Sequence, residues 1–180
     1  MPSSEREQAC RVVLVGMMGS GKSTIGRLLS KLTGWALVDN DELLNQLHGL
    51  SARAILEQRG EVALRAAEAD ALKLGLAQQA PCIVDAAGGT ILDPTLRALL
   101  ADQIVIWLRA RPETLFQRAQ GAAHRPWLDR GLEWMSTTMT ERAPLYESVA
   151  DLIVDTDSVD PLAVVREIER WLREEAACAL

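Results

Sequence analysis

Gly16-Met17-Met18-Gly19-Ser20-Gly21-Lys22-Ser23-Thr24 decides how this chain is read. It fits G-x-x-x-x-G-K-[ST] at every fixed position. Upstream, Arg11 to Val15 reads as a short buried strand. Downstream, Lys22 to Thr33 reads as a helix with Ile25, Leu28, Leu29 and Leu32 on one side and Gly34 to end it. Glycines let such a turn aim its N–H groups at an anion, and the helix N-terminus adds partial positive charge. Lys22 is predicted to reach the β- and γ-phosphates, and Ser23 to ligate Mg²⁺. A dinucleotide fold is excluded, because the glycines run G-x-x-G-x-G and Lys-Ser follows.

Strand and helix signals alternate from there to the end. Strands are predicted at Ala36–Val38, Cys82–Val84, Ile104–Leu108 and Leu152–Val154. Between them lie helices over Glu42–Leu47, from Ser51 to Gln58, over Glu61–Gln79 after a break at Gly60, and from Asp93-Pro94, Pro112 and Asp160-Pro161. Leu132 to Val149 is predicted helical, with Pro144 kinking or dividing it. Apolar strands separated by helices imply a parallel sheet covered on both faces, with ligands bound beyond the strands' carboxyl ends. The phosphate loop, Asp39-Asn40-Asp41, Asp85 and Gly88-Gly89 all lie at such ends.

The 180 residues suit one α/β domain with an aliphatic core. A formal charge of -6 argues against a nucleic-acid partner. No apolar run approaches membrane-spanning length, and Met1 to Gln8 is neither a signal nor a transit peptide. Cys10, Cys82 and Cys178 are widely spaced and read as reduced thiols of a cytoplasmic protein. The five tryptophans are dispersed and read as packing or lid residues.

Two carboxylates beside a phosphate site, Asp39 and Asp41, suit one Mg²⁺ contact and one substrate hydroxyl; a helix cap accounts for one of them. Asp85 ends an apolar strand and is read as a metal residue acting through water, or as a strand-end turn residue. Arg65 and Glu68 share a helix face, either as a surface ion pair or with Glu68 orienting Arg65 toward a substrate carboxylate. Gly88-Gly89 permits close backbone approach to a ligand, or is a plain turn. Arg125, in a small and polar loop between Gly121 and Gly131, is either a lid arginine for a transferring phosphoryl group or a solvated side chain.

From Val12 to about Trp171 the chain resembles the shikimate kinases. The similarity rests on the phosphate loop, the D-x-D of Asp39-Asn40-Asp41, and Gly60-Glu61-Val62-Ala63-Leu64-Arg65 with Glu68. It also rests on Arg125-Pro126-Trp127-Leu128 and Arg142-Ala143-Pro144-Leu145-Tyr146. The resemblance implies a single three-layer α/β/α kinase domain over residues 1–180, with strand order 2-3-1-4-5. It further implies a substrate-binding subdomain near 40–68 and a lid near 121–130.

It implies a cytoplasmic, monomeric enzyme that transfers the ATP γ-phosphoryl group, with Mg²⁺, to the 3-hydroxyl of shikimate in aromatic amino-acid biosynthesis. Asp41 would hold the ring hydroxyls and act as base, and Asp39 would hold Mg²⁺ with Ser23. Arg65 and Arg142 would clamp the carboxylate, with Gly88 and Gly89 donating from their backbone. Gly19, Ser20, Gly21, Lys22, Ser23, Thr24 and Arg125 would hold phosphates, and Arg118 and the Pro161 segment would flank adenine.

Four positions depart from the family's pattern. Ala87 stands for the first of three glycines, Leu56 and Leu64 stand where Phe is common, and Asp85 stands where Ser or Thr is frequent. These departures motivate two other readings: a kinase for another small hydroxylated acid, such as a gluconate-like one, and a nucleotide-binding module without kinase activity. A nucleoside monophosphate kinase is disfavoured, since no arginine-rich second phosphate site is evident around Asn40–Glu68.

Overall fold

The computed structural model describes residues 10–120, 127–176 and 178. Five strands form one parallel sheet: β1 (Arg11–Val15), β2 (Ala36–Asp39), β3 (Cys82–Asp85), β4 (Ile104–Arg109) and β5 (Leu152–Asp155). Their order is β2-β3-β1-β4-β5, as the resemblance implied. Residues alternate across the sheet, so each strand feeds two cores. Val13, Val15, Val84, Val105 and Trp107 face one apolar cluster. Val12, Leu14, Ile83, Ile106 and Leu108 face the other.

Helices cover both faces. Helix α1 (Lys22–Thr33) and helix α7 (Pro161–Glu174) close one side through Ile25, Leu29, Val164, Ile168 and Leu172. Helices α3 (Ala52–Leu76), α4 (Pro94–Leu100), α5 (Pro112–Ala119) and α6 (Gly131–Glu147) close the other. Helix α2 (Asn40–His48) packs on the first part of α3 and builds a third, smaller core of Leu44, Ile55, Leu64 and Ala67. Gly60 interrupts α3 with φ 85 and ψ 175, so its two halves can run in different directions. Among the described residues no helix is long and apolar enough to cross a membrane.

Local chemistry explains the boundaries. Gly34 ends α1 in the left-handed region. Ser51, Asp93 and Asp160 each cap the helix that follows, accepting from Ala54, Thr95 and Leu162 N–H groups. Three expectations need correction. Leu32 is exposed, because most of the last turn of α1 lies open to solvent. Pro144 does not divide α6, since only the helix's final turn lies beyond it and a single N–H is lost. Cys10 and Cys178 are not reduced thiols: they form a disulfide, with Cα atoms 5.9 Å apart. The pairing was invisible across 168 residues because only the packing of α7 on α1, over the same apolar cluster as β1, brings the two ends together. Cys82 is free and buried.

Candidate active site

The site grows from the carboxyl ends of β1, β2 and β3. Strand register sets Asp85 opposite both Leu14 and Asp39, next to the root of the phosphate loop. The loop needs its glycines. Gly16, Gly19 and Gly21 have φ of 145, 80 and 99. A Cβ on Gly19 would also run into the Leu115 backbone, with its carbonyl carbon 3.0 Å away. The loop therefore wraps tightly against the start of α5. Lys22 is buried and folds back over the loop, donating to the carbonyls of Gly16 (3.0 Å) and Met17 (3.3 Å). From these neutral carbonyls an ammonium can turn to a phosphate. The Ser20 hydroxyl is buried without a partner among the described residues.

Ser23 Oγ donates a 2.7 Å hydrogen bond to Asp85. Burial pushes the Asp85 carboxyl up to about 6, against the pull of Lys22 and of Ser23. Asp39 is the N-cap of α2, and its Oδ1 accepts from the Asp41 N–H at 2.9 Å. Capping thus accounts for one oxygen of Asp39 and none of Asp41. Both carboxylates line the cleft. No cluster of three or more carboxylate, imidazole or thiolate groups among the described residues would hold a metal alone. Mg²⁺ takes one or two carboxylates and completes its shell with phosphates and water. The donor set present, Ser23 with Asp39 and Asp85, is hard oxygen, and the buried Asp85 carboxyl favours a neighbouring cation.

Across the cleft, the Arg65–Glu68 pair is not on the surface. Glu68 is 5% exposed and meets Arg65 at 2.8 Å, while Glu61 holds a second Arg65 nitrogen at 3.2 Å. Burial raises the Glu68 carboxyl, with Arg65 and Arg142 opposing. Arg65 Nε is buried without a hydrogen-bond partner among the described residues. Arg142 is 9% exposed and donates to the Gly88 carbonyl at 3.1 Å, which also accepts from Tyr146 Oη at 2.8 Å. Gly88 is therefore fixed by its carbonyl. At Gly89 a Cβ would press on the end of the Arg65 side chain and lie 2.7 Å from Glu68 Oε2, so any larger residue there requires that pair to shift. Ala87 lies in the cleft wall with an ordinary φ, so its methyl is tolerated by the backbone.

The cleft brings together Lys22, Ser23, Asp39, Asp41, Arg65, Asp85, Gly88, Gly89 and Arg142. A second cavity, on the other side of the loop, is lined by Ser20, Gly21, Thr24, Arg118, Thr156 and Pro161. Arg125 lies outside the described residues. Leu64 is fully buried in the small core, and Leu56 packs against that core; neither lines the cleft. Three residues went unassigned in the sequence. Thr156 joins Arg118 to the Ser20 carbonyl, and its place just after β5 was the signal. Tyr146 was quoted within a motif without a task. Trp127, read as a packing or lid residue and assigned no contact to substrate, lines the cleft.

Known proteins with these features are numerous. The family profile described as shikimate kinase matches residues 18–173. The shikimate kinase of Moorella thermoacetica is 36% identical over 165 residues, covering 90% of this chain and 94% of its own. That of Mycobacterium tuberculosis is 39% identical over 163 residues, covering 89% and 92%. Among solved structures, shikimate kinase from Acinetobacter baumannii in complex with shikimate superposes with a TM-score of 0.86 at 28% identity, over 93% of this chain and 94% of that one. The enzyme from Aquifex aeolicus gives 0.77 at 28%, over 94% and 99%. A deoxyadenosine kinase from M. mycoides, at 18% identity and TM-score 0.61, over 91% and 100%, shares the fold alone. A profile match running from the phosphate loop to the last helix, with relatives above 30% identity along 90% of the chain, makes this protein a member of the shikimate kinase family.

Proposed function

We propose that this chain phosphorylates the 3-hydroxyl of shikimate with ATP, yielding shikimate 3-phosphate for aromatic amino-acid biosynthesis. Family membership supports the activity, and one observation carries its local mechanism. Two arginines, Arg65 and Arg142, converge with Asp41 on the cleft that also holds Lys22 and Ser23. An acidic acceptor clamped at one end of that cleft presents a hydroxyl toward the phosphates at the other.

Asp41 orients the acceptor hydroxyl and takes its proton as the oxygen attacks the γ-phosphorus in line. Lys22 swings from the Gly16 and Met17 carbonyls to the phosphates and neutralises charge on the transferring group. Gly19, Ser20, Gly21 and Thr24 cradle the phosphate chain. Ser23, Asp39 and Asp85 would hold Mg²⁺, which would supply charge neutralisation to the phosphates. Gly88 and Gly89 shape the acceptor's resting place. Arg118 flanks the adenine. Arg125 keeps its assignment to the phosphates from the motif alone, as do the substrate-binding subdomain near 40–68 and the lid near 121–130. The third apolar cluster, built by α2 with residues of α3 on both sides of Gly60, supports the subdomain.

The enzyme is taken to act as a cytoplasmic monomer, where ATP and Mg²⁺ are supplied. A coupled ADP-release assay with ATP, Mg²⁺ and shikimate tests the function, beside a blank and a panel of hydroxy acids including gluconate. Turnover confined to shikimate is expected. Turnover with another acid alone moves the acceptor, and acceptor-independent hydrolysis alone removes the kinase reading.

A further inference from the structure

The described side chains that line the acceptor cleft include one aromatic, Trp127. The small core beneath it is aliphatic: Leu44, Ile55, Leu56 and Leu64, against which Trp127 packs. Its indole is held by charge and by stacking. The Arg65 guanidinium carbon lies 5.8 Å from the ring centroid, and that of Arg130 lies 4.3 Å away. Trp134 stacks with it at 6.1 Å and 28°. The backbone of Trp127 sits at φ 70, which a bulky side chain adopts only when its surroundings hold it there. Tertiary contacts have therefore been kept at Trp127 at the expense of local comfort.

Arg65 explains what those contacts accomplish. Its edges are engaged by Glu68 and Glu61. Those bonds fix the guanidinium only within its own plane. A ring within cation–π range adds a constraint out of that plane. The indole also adds a flat apolar surface to a cleft whose other described lining residues are charged, polar or small, with two methionines.

We propose that Trp127 is a specificity-determining residue of the acceptor pocket: it braces Arg65 and offers an apolar face that favours a cyclic hydroxy acid over an open-chain one. This rests on the function proposed above. An alicyclic ring can lay one face on the indole while its carboxylate meets Arg65. A flexible chain loses more conformational freedom on binding the same surface.

The test is steady-state kinetics of Trp127→Leu and Trp127→Phe with shikimate, gluconate and ATP, together with thermal melts. Trp127→Leu is expected to raise the shikimate KM about 10-fold or more while changing the ATP KM by about 2-fold or less, as one lost aromatic contact predicts. The ratio of shikimate to gluconate kcat/KM falls with it. Trp127→Phe restores most of the shikimate KM, which a purely structural loss would not allow. Because the wild type carries five tryptophans, its fluorescence change on adding shikimate, less that of Trp127→Phe, reports the indole directly. An unchanged shikimate KM in a folded, ATP-binding Trp127→Leu protein overturns the inference and leaves the function standing. A wild type that ignores shikimate overturns the function, and the inference falls with it.

Discussion

Ser23 Oγ donates a 2.7 Å hydrogen bond to Asp85, a carboxyl sealed at the end of β3. Burial raises Asp85 to about 6 from 3.8. Between those values the folded protein keeps a proton that the unfolded chain has released. Stability contributed by this group therefore falls as pH rises through the window. A gap of roughly two units corresponds to about 3 kcal/mol at most. Asp85→Asn is thus expected to stabilise the metal-free protein by about 1–3 kcal/mol near pH 8, with the gain shrinking toward about pH 4. The same variant should need about 10-fold more Mg²⁺ for half-maximal rate. Denaturant titrations across pH, without Mg²⁺, read the first effect; a pH-independent gain would detach Asp85 ionisation from folding.

Gly89 offers a cleaner probe of the proposed carboxylate clamp. Its φ of -84 and ψ of -16 suit any residue, so alanine meets no backbone objection. The new Cβ would instead press on the Arg65–Glu68 pair. Overpacking of this kind costs about 1–3 kcal/mol, or about 10–100-fold in acceptor KM. The ATP KM should move by about 2-fold or less. A variant whose ATP KM rises as much as its acceptor KM would show that this side of the cleft does not serve the acceptor alone.

Much of this was legible in the residues, for stated physical reasons. The phosphate loop and the five apolar runs define both the elements and the ends at which ligands bind, because backbone chemistry and period decide them. Arg65 and Glu68 share a helix face by spacing alone, yet spacing could not say whether that face was wet. The answer lies in tertiary packing: α3 runs beside the short turn Thr90–Leu92 that follows β3, and Glu68 is buried. Thr156 and Trp127 were harder. The end of β5 and the lid segment place them near ligands, but their partners come from elements far apart in sequence, which local pattern does not name. The Cys10–Cys178 bond was misread for the same reason.

Asp39 and Asp41 should separate cleanly. Asp39 caps α2, so Asp39→Ala is expected to cost about 1 kcal/mol of stability besides any effect on metal. Asp41 caps nothing. Asp41→Asn should keep the melting temperature and the ATP affinity while lowering kcat by about 10²–10⁴. Calorimetric ATP binding beside turnover checks this. Near-normal turnover would remove Asp41 as the base.

Thr156 couples the second cavity to the phosphate loop. Its buried hydroxyl accepts from Arg118 at 3.0 Å and lies 3.2 Å from the Ser20 carbonyl, to which it donates. Thr156→Val keeps the volume and removes the hydroxyl's bonds to Arg118, to the Ser20 carbonyl and to the Arg109 carbonyl, leaving buried polar groups unmatched at about 1–3 kcal/mol. The ATP KM is expected to rise by about 3–10-fold with the acceptor KM unchanged, and Arg118→Ala should do the same. If the acceptor KM rose instead, the second cavity would not be the nucleotide's.

Cys10 stands immediately before β1, and Cys178 follows α7, so their bond closes nearly the whole chain into one loop. Both sulfurs are buried in the apolar cluster that α1 and α7 form with the sheet, on the face away from Asp41 and Arg65. A cross-link of this span stabilises mainly by restricting the unfolded chain, by about 2–5 kcal/mol, and touches no group of the cleft. Thiol titration in denaturant without reductant should therefore find one thiol, that of Cys82. Adding reductant should lower the denaturation midpoint while leaving kcat and both KM values unchanged at temperatures where the protein stays folded. Three titrating thiols in unreduced protein would mean that the two cysteines lie side by side without bonding, and the reductant would then have no effect on the midpoint.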